Sequence, residues 1–178
     1  MKFFKHFVTI TRHRHIVMRN CFKCGLIKQG LLHDLSKYSL VEFKNGVKYF
    51  VGTRSPNDLE RMDKGFSEAW MHHKGRNKHH SEYWVDVNPL TKRYEPVIMP
   101  FKYVAEMFCD RIAASKNYNR KTYQNHFPLD YFNFEQERII MHEKTKEEIR
   151  SLLTMLKNEG EDKVFKYIKS RLKQERKK

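Results

Sequence analysis

The chain has 178 residues, of which 39% are hydrophobic and 13% aromatic, so it fits one folded domain and is not a largely disordered protein. Its 36 Lys and Arg residues against 21 Asp and Glu residues give a formal net charge of +15. This charge predicts an anionic partner, but it does not distinguish nucleic acid, nucleotides and acidic membrane surfaces.

The sequence carries no recognisable targeting segment. No apolar run approaches the roughly 18 residues of a membrane span, and Met1 to His6 lacks the apolar stretch and cleavage site of a signal peptide. Cys21, Cys24 and Cys109 are too few and too odd in number for a disulfide framework. We therefore expect a cytoplasmic protein in which Cys21 and Cys24, one helical turn apart, pack as small hydrophobic side chains.

Apolar residues recur at helical spacing along most of the chain, with hardly any alternating strand pattern. The sequence therefore predicts an all-α, single-domain helical bundle. In chain order, helices are expected at about residues 3–19, 22–37, 39–50, 57–73, 100–117, 129–142, 145–158 and from 161 towards the C-terminus.

Local signals support several of these helix ends. Ser39 and Glu42 form a capping box at the start of the third helix. Thr145, with Glu148 three residues later, predicts the start of the seventh helix, and Gly160 separates the last two. The last helix is expected to pack against the domain through an apolar stripe of Val164, Phe165, Ile168 and Leu172.

A proline-rich segment interrupts the helical pattern between residues 86 and 100. Its prolines are Pro89, Pro96 and Pro100. They predict an extended surface segment, placed to lie over a pocket, and Pro100 suits the first position of the next helix.

An imidazole and a carboxylate, His33 and Asp34, interrupt an apolar run that extends from Gly30 to Leu35. Burying an ionised carboxylate without a partner is prohibitively unfavourable, so Asp34 is expected to face a cation. On one helix the two side chains would point about 100° apart. Both side chains could bind the same ion only if the ion lay beside the helix, between the two side-chain directions. Further ligands would then have to come from neighbouring helices.

Further candidate ligands lie in the histidine-rich segment at residues 70–80. Gly75 and Asn77 end the fourth helix there, which places His79 and His80 on a loop or a short helix. Any one of these histidines alone is more typical of a core or solvated residue. Their occurrence together with the His33-Asp34 pair is what indicates a metal site.

Two more candidates, His13 and Asp110, lie on other helices. Asp110 shares its helix face with Tyr103, Met107 and Ala113, so its carboxylate is expected to point inward. Imidazole and carboxylate donors suit Mn, Fe, Zn, Ni or Co better than Ca. The sequence therefore predicts a core site for one or two divalent transition metal ions.

The segment Leu31-Leu32-His33-Asp34-Leu35-Ser36-Lys37, with a histidine upstream and an aspartate downstream, resembles the HD-domain superfamily of metal-dependent phosphohydrolases. The segment is particularly similar to the LLHDxxK segment of the HD-GYP branch, and His79-His80 resembles the extra histidines that bind a second metal there. The glycine-tyrosine-proline part of that branch is absent. Over about residues 10–115 the pattern also resembles a small bacterial and phage family without a settled activity, on the residues His13, His33, Asp34, His73, Asn77, His79, His80, Glu106 and Asp110.

The resemblance implies two metal positions. The first would be held by His13, His33, Asp34 and Asp110, and the second by Asp34, His73 and His79 or His80. The metal-site core would cover about residues 10–115, packing helices would cover about 129–173, and a frayed basic tail would follow at 174–178.

Other polar residues are candidates for contacting a substrate. Lys37, one turn beyond His33, could reach a substrate phosphate, or it is an ordinary surface lysine. Arg76 and Arg111 are weaker phosphate candidates, and Asn77 either orients a water or a ligand or ends a helix.

We therefore expect a metal-dependent phosphohydrolase, a phosphatase or phosphodiesterase, that attacks a nucleotide or another phosphate ester with metal-activated water. The basic charge favours a polyanionic substrate, oligonucleotides included. Two other functions stay open. One is an HD-like di-iron oxygenase. The other is a nucleic-acid-binding or host-interaction protein with a structural or vestigial metal, which two basic segments support: residues 1–30, with seven Lys and Arg and no acid, and residues 171–178.

Overall fold

Helices account for most of the computed structural model, which describes residues 1–177 of the chain. The helices are α1 (Lys2–Lys23), α2 (Ile27–Leu32), α3 (Leu40–Lys48), α4 (Pro56–Lys64), α5 (Glu68–Lys74), α6 (Phe101–Asn119), α7 (Phe127–Glu135), α8 (Glu143–Glu159) and α9 (Glu161–Glu175). Short 3-10 helices lie at Leu35–Tyr38, Ser81–Tyr83 and Arg120–Thr122, and strands β1 (Val85–Val87) and β2 (Tyr94–Pro96) pair antiparallel. The all-α, single-domain prediction is confirmed.

Helix α6 lies at the centre of the core. It packs against α1 on one side and against α7, α8 and α9 on the other. The apolar stripe predicted on α9 is buried, and it meets an equally buried stripe on α8 formed by Ile149, Leu152, Leu153 and Leu156. The packing of the last helix is therefore confirmed.

The three cysteines belong to this core. Cys21 on α1 and Cys24, which directly follows that helix, face Cys109 on α6. All three are buried free thiols, and the sulfur atoms of Cys24 and Cys109 lie 3.8 Å apart. Burial raises the pKa of the Cys109 thiol well above its ordinary value. The thiols therefore pack as small hydrophobic groups, as their spacing predicts.

Two of the predicted helices are wrong because glycines interrupt them. The second predicted helix begins too early: α1 runs on to Lys23, and Gly25, at φ +78°, turns the chain before α2. The fourth is two helices, since Gly65 ends α4 at φ +80° and Ser67 starts α5 by accepting a hydrogen bond from the Trp70 amide. Only glycine adopts such positive φ values without strain.

The ends of the C-terminal helices also differ from expectation. Helix α7 ends at Glu135, and α8 begins at Glu143 with the His142 ring accepting a hydrogen bond from the Lys144 amide. The hydroxyl of Thr145 accepts instead from the Met99 amide, so it joins α8 to the segment before α6. Helix α9 includes the first two residues of the predicted tail, and Lys178 lies outside the described residues.

The proline-rich segment forms a small hairpin, in which Val85 pairs with Pro96 and Val87 with Tyr94. Pro100 precedes the first turn of α6 as its N-cap. Among residues 1–177, no helix combines the length and the apolar character that crossing a membrane requires.

Glu60 joins α4 to α5 from a fully buried position. Its carboxylate accepts hydrogen bonds from the Ser67 hydroxyl at 2.7 Å, the Ala69 amide at 3.3 Å and the Lys64 ammonium at 3.0 Å. Although burial opposes ionisation, these contacts lower the pKa of Glu60 below its ordinary value of 4.5.

We expect the substitution Glu60→Gln to lower the free energy of unfolding by about 1–3 kcal/mol at neutral pH, because an amide cannot accept from all three donors. A lowered pKa contributes stability above the unfolded-state pKa, and this contribution is lost as the pH falls through the folded-state value. Urea denaturation should therefore show a smaller difference between variant and wild type below pH 4.5. The exposed Glu137→Gln serves as the control, and equal stabilities at neutral pH would contradict the prediction.

Candidate metal centre

The His33-Asp34 pair lies at a turn and not on a helix. Helix α2 ends at Leu32, His33 is extended at φ −52° and ψ 127°, and Asp34 adopts the left-handed conformation at φ 54°. Aspartate is one of the few residue types enriched there. Arg14 of α1 supports the turn by donating hydrogen bonds to the carbonyls of Leu31 and His33.

This turn corrects the expected geometry of the pair. On a helix the two side chains would diverge, whereas here the Nε2 atom of His33 lies 3.2 Å from the Oδ2 atom of Asp34. Both side chains are buried, with Asp34 only 1% exposed. The left-handed residue therefore lets two consecutive side chains point to one place.

The first group of candidate donors contains His13, His33, Asp34 and Asp110, whose donor atoms all lie within 4.8 Å of one another. The Oδ2 atom of Asp34 is 3.7 Å from His13 Nε2. The Oδ1 atom of Asp110 is 2.8 Å from His13 Nε2 and 3.6 Å from His33 Nε2. Helices α1 and α6 and the turn after α2 thus bring together three segments that are distant in sequence.

The second group contains Asp34, His73, His79 and His80, within the same distance of one another. The Oδ1 atom of Asp34 lies 3.3 Å from His73 Nε2 and 3.5 Å from His79 Nε2. His73 comes from the last turn of α5, and His79 and His80 from the loop that follows, as predicted. One carboxylate therefore faces both groups, with a different oxygen towards each.

These spacings fit a metal ion. Two donors that are each about 2.1 Å from one ion lie about 3 to 3.4 Å apart. The imidazole–carboxylate separations given above run from 2.8 to 3.7 Å, and all donor atoms within each group lie within 4.8 Å. The structure places all seven candidate ligands of the sequence analysis in two groups of buried or partly buried His and Asp side chains that could hold a metal ion.

Buried polar atoms without a hydrogen bond are concentrated in this cluster. Buried polar atoms are hydrogen-bonded in the great majority of cases. Within residues 1–177, six buried atoms of the cluster make no contact with hydrogen-bond geometry: His13 Nε2, His33 Nε2, both Asp34 oxygens, His79 Nε2 and His80 Nε2. Two of them still lie beside charged groups, His13 Nε2 at 2.8 Å from Asp110 and Asp34 Oδ2 at 2.5 Å from Lys37 Nζ. All six belong to the two donor groups, so the cluster has the donor set of a ligand-binding site.

Glu106 of α6 contacts the Nδ1 atoms of two of the histidines. Its Oε1 atom lies 3.0 Å from His33 Nδ1 and 3.2 Å from His79 Nδ1. Although burial opposes ionisation, these hydrogen bonds lower the pKa of Glu106 to about 2. An ionised carboxylate at Nδ1 favours the tautomer in which Nε2 carries the free lone pair, and it orients the ring towards the cluster.

Glu42 of α3 contacts the Nδ1 atom of His73, a member of the second group, and that of the neighbouring His72. Its two oxygens lie 2.7 Å from His72 Nδ1 and 2.7 Å from His73 Nδ1. One of the two hydrogen bonds of the predicted capping box is present, since the Ser39 hydroxyl accepts from the Glu42 amide at 3.3 Å. The Glu42 side chain, however, binds histidines and does not return to the helix start.

The two acids of the first group are held ionised. Burial opposes the charge of Asp34, but His33 and Lys37 hold its pKa well below the ordinary range. Burial likewise opposes the charge of Asp110, and hydrogen bonds from His13 and His33 keep its pKa well below the ordinary value. Both carboxylates are therefore available as anionic ligands.

Four histidines of the cluster differ in the direction in which their pKa values are shifted. Burial lowers the pKa of His13 and lowers that of His80 well below its usual value, so both rings are neutral donors. His33 and His73 are also buried, yet the neighbouring Asp34 carboxylate raises the pKa of each above the ordinary value. A metal cation would replace the protons on these two rings and would balance the charge of Asp34 in their place. Metal binding here would therefore release protons.

The predicted substrate-contact residues fall in different places. Lys37 lies on the 3-10 helix after the turn, with its Nζ atom 2.5 Å from Asp34 Oδ2. Asn77 donates to the Ser36 hydroxyl and to the His73 carbonyl, so it closes α5 and ties it to the turn. Arg76 is exposed and borders neither cavity beside the cluster, so its substrate contact stays a prediction.

Two cavities, of about 550 and 330 Å³, reach the cluster, and both touch His80 and Asp110. Arg111 borders the larger one but is paired with Glu135. Arg54, which sequence analysis missed because it lies in a turn, borders both. The hairpin lines neither of these two cavities and borders a separate one of about 470 Å³, so it does not cover the cluster's cavities in the described residues.

Comparison with known proteins gives one match. The family model of DUF5662, described as a family of unknown function, matches residues 2–155, which include every residue of both donor groups. No curated protein and no solved structure matches the chain.

Proposed function

We propose that this chain, which belongs to the DUF5662 family of unknown function, is a divalent-metal-dependent phosphohydrolase acting on a nucleotide or another phosphate ester. The observation that supports this most is the pair of His and Asp donor groups that share Asp34, in which six buried atoms make no contact with hydrogen-bond geometry. The resemblance of Leu31 to Lys37 to HD-domain phosphohydrolases supports the same reaction, although here the pair lies at a turn.

The donor set suits one or two divalent transition metal ions such as Mn, Fe, Zn, Ni or Co. His13, His33, Asp34 and Asp110 would hold one ion, and Asp34 with His73, His79 and His80 the other. When bound, such ions lower the pKa of a coordinated water and polarise a phosphoryl oxygen. Glu106 and Glu42 orient the imidazoles that face the ions.

The chain's own cations and aromatic rings would position the ester. Lys37 borders the smaller cavity beside the shared carboxylate, where its ammonium group can contact a phosphate oxygen. Trp70 and Tyr118 border both cavities and offer apolar surface to the organic part. A volume of about 550 Å³ is within the usual range for small-molecule sites.

The charge of the larger cavity supports a small ester over a long oligonucleotide. Its two cations, Arg54 and Arg111, face four acids, Asp58, Glu82, Asp110 and Glu135. Arg54 pairs with Asp58 and Arg111 with Glu135. The excess positive charge of the chain therefore lies elsewhere on the surface.

The proposal is tested on protein purified without a metal-binding tag. We expect elemental analysis to find a transition metal, and phosphatase and phosphodiesterase screens to find hydrolysis. Lys37→Ala should keep the metal and lose roughly 10²-fold in kcat/KM, because it removes a charge contact to the phosphoryl group. The exposed Lys157→Ala is the matched control.

Other outcomes would reject the proposal. Iron-dependent oxygen uptake without hydrolysis would assign the site to an oxygenase. Salt-sensitive oligonucleotide binding that survives loss of the metal, again without hydrolysis, would assign the protein to nucleic-acid binding.

A further inference from the structure

A second surface of the molecule, outside the two cavities beside the metal cluster, exposes a group of apolar side chains. They come from α1, from α2 and the turn after it, and from the first residue of α3. Their exposed fractions run from 42% to 87%, and we call them the N-terminal face: Phe3, Phe4, Phe7, Val8, Leu31, Leu32, Leu35 and Leu40.

Contacts between these elements make the face continuous. The Phe3 ring packs edge-on against Phe43 of α3 at 5.1 Å, and the Phe7 ring against Tyr38 at 6.0 Å. Thr11 and Tyr38 share a hydrogen bond of 2.9 Å, and Arg14 holds the Leu31 carbonyl. Helix α1 therefore packs directly against the segment from α2 to α3, and these elements carry all eight of the exposed apolar side chains.

The charge around this face has a single sign. Residues 1–41 contain eight Lys and Arg and one acid, Asp34, which is 1% exposed inside the metal cluster. Helix α3 adds only Glu42, which is buried against two histidines. The elements that form the face thus expose basic and apolar side chains but no carboxylate.

We propose that the N-terminal face binds the surface of a lipid membrane that carries anionic headgroups. Shallow insertion of Phe and Leu side chains, with Lys and Arg at headgroup level, is the known combination for binding in the plane of an interface. This proposal does not rest on the proposed enzymatic activity.

The side-chain types and the charge of the N-terminal face argue against two other binding partners, single-stranded nucleic acid and a second copy of the chain. Five of the eight apolar residues are aliphatic, and aliphatic side chains do not stack on nucleobases as single-strand-binding surfaces require. A second copy of the chain, placed symmetrically on this face, would bring the basic side chains of one α1 close to those of the other.

The test is flotation of the full chain with vesicles of phosphatidylcholine alone or mixed with phosphatidylglycerol. We expect binding to the mixed vesicles only, and weaker binding at high salt. The double variant Phe4→Ser, Leu40→Ser should lower the partition coefficient about tenfold or more. Because these side chains are 72% and 87% exposed, folding should be unaffected, and Leu90→Ser, at a site 90% exposed on the hairpin, is the matched control.

A charge reversal supplies the second arm. Arg12→Glu on α1 should weaken binding about tenfold, whereas the exposed Lys157→Glu on α8, with the same change in net charge, should have a much smaller effect. Equal losses from both reversals, absence of vesicle binding, or binding of a single-stranded oligonucleotide without vesicle binding would overturn the proposal. So would a self-association that the Phe4→Ser, Leu40→Ser variant abolishes.

Discussion

Asp34→Asn is expected to empty both donor groups and to lower hydrolysis by about 10³-fold or more. Asp34 is the one side chain that faces both groups, with Oδ2 towards His13 and His33 and Oδ1 towards His73 and His79. Asparagine keeps the shape of the side chain and, like aspartate, tolerates the left-handed backbone at this position. The change therefore removes the charge without straining the turn.

Elemental analysis and kcat/KM measure the effect, and circular dichroism checks that the variant is folded. Asp162→Asn, an exposed aspartate at the start of α9, is the matched control. Full metal content in the folded Asp34 variant would rule out the assigned ligands.

Glu106→Gln is expected to weaken metal binding in both groups by about 10- to 100-fold. The Glu106 carboxylate accepts from His33 in one group and from His79 in the other through the same oxygen. An amide oxygen is a weaker acceptor, and it no longer stabilises the tautomer that frees Nε2 of both rings.

Calorimetric titration of metal-free protein with Zn²⁺ measures this loss. The exposed Glu147→Gln is the control, and Glu42→Gln, which holds His73 but neither His33 nor His79, should weaken only the second group. Unchanged Zn²⁺ affinity in the Glu106 variant would show that the carboxylate does not position the ligands.

Much of the candidate site could be predicted from residue types and spacing. His13, the His33-Asp34 pair, the histidine cluster and Asp110 are polar groups at positions where the apolar pattern predicts burial, so their meeting in the core follows from folding. Glu106 belongs to the pattern that resembles the bacterial and phage family, and its place beside the ligands could also have been inferred, since it lies four residues before Asp110 on the same helix face. Glu42 was hidden because a capping box already explained it.

The backbone around the site could not be predicted in the same way. Leu31 to Lys37 continues a helical apolar pattern, and nothing in the side chains shows that Asp34 is left-handed; the hydrogen bonds of Arg14, far away in sequence, support the turn. The apolar stripe of α9 was predictable because packing against one neighbour follows directly from periodicity.

The shared carboxylate of Asp34 also means that the two donor groups cannot act independently. A cation on one oxygen draws electron density from the other, so the second cation meets a poorer ligand and a positive neighbour. The two cations would then bind with different affinities. Each bound cation would lower the affinity for the other by the same factor, because both contact the Asp34 carboxylate.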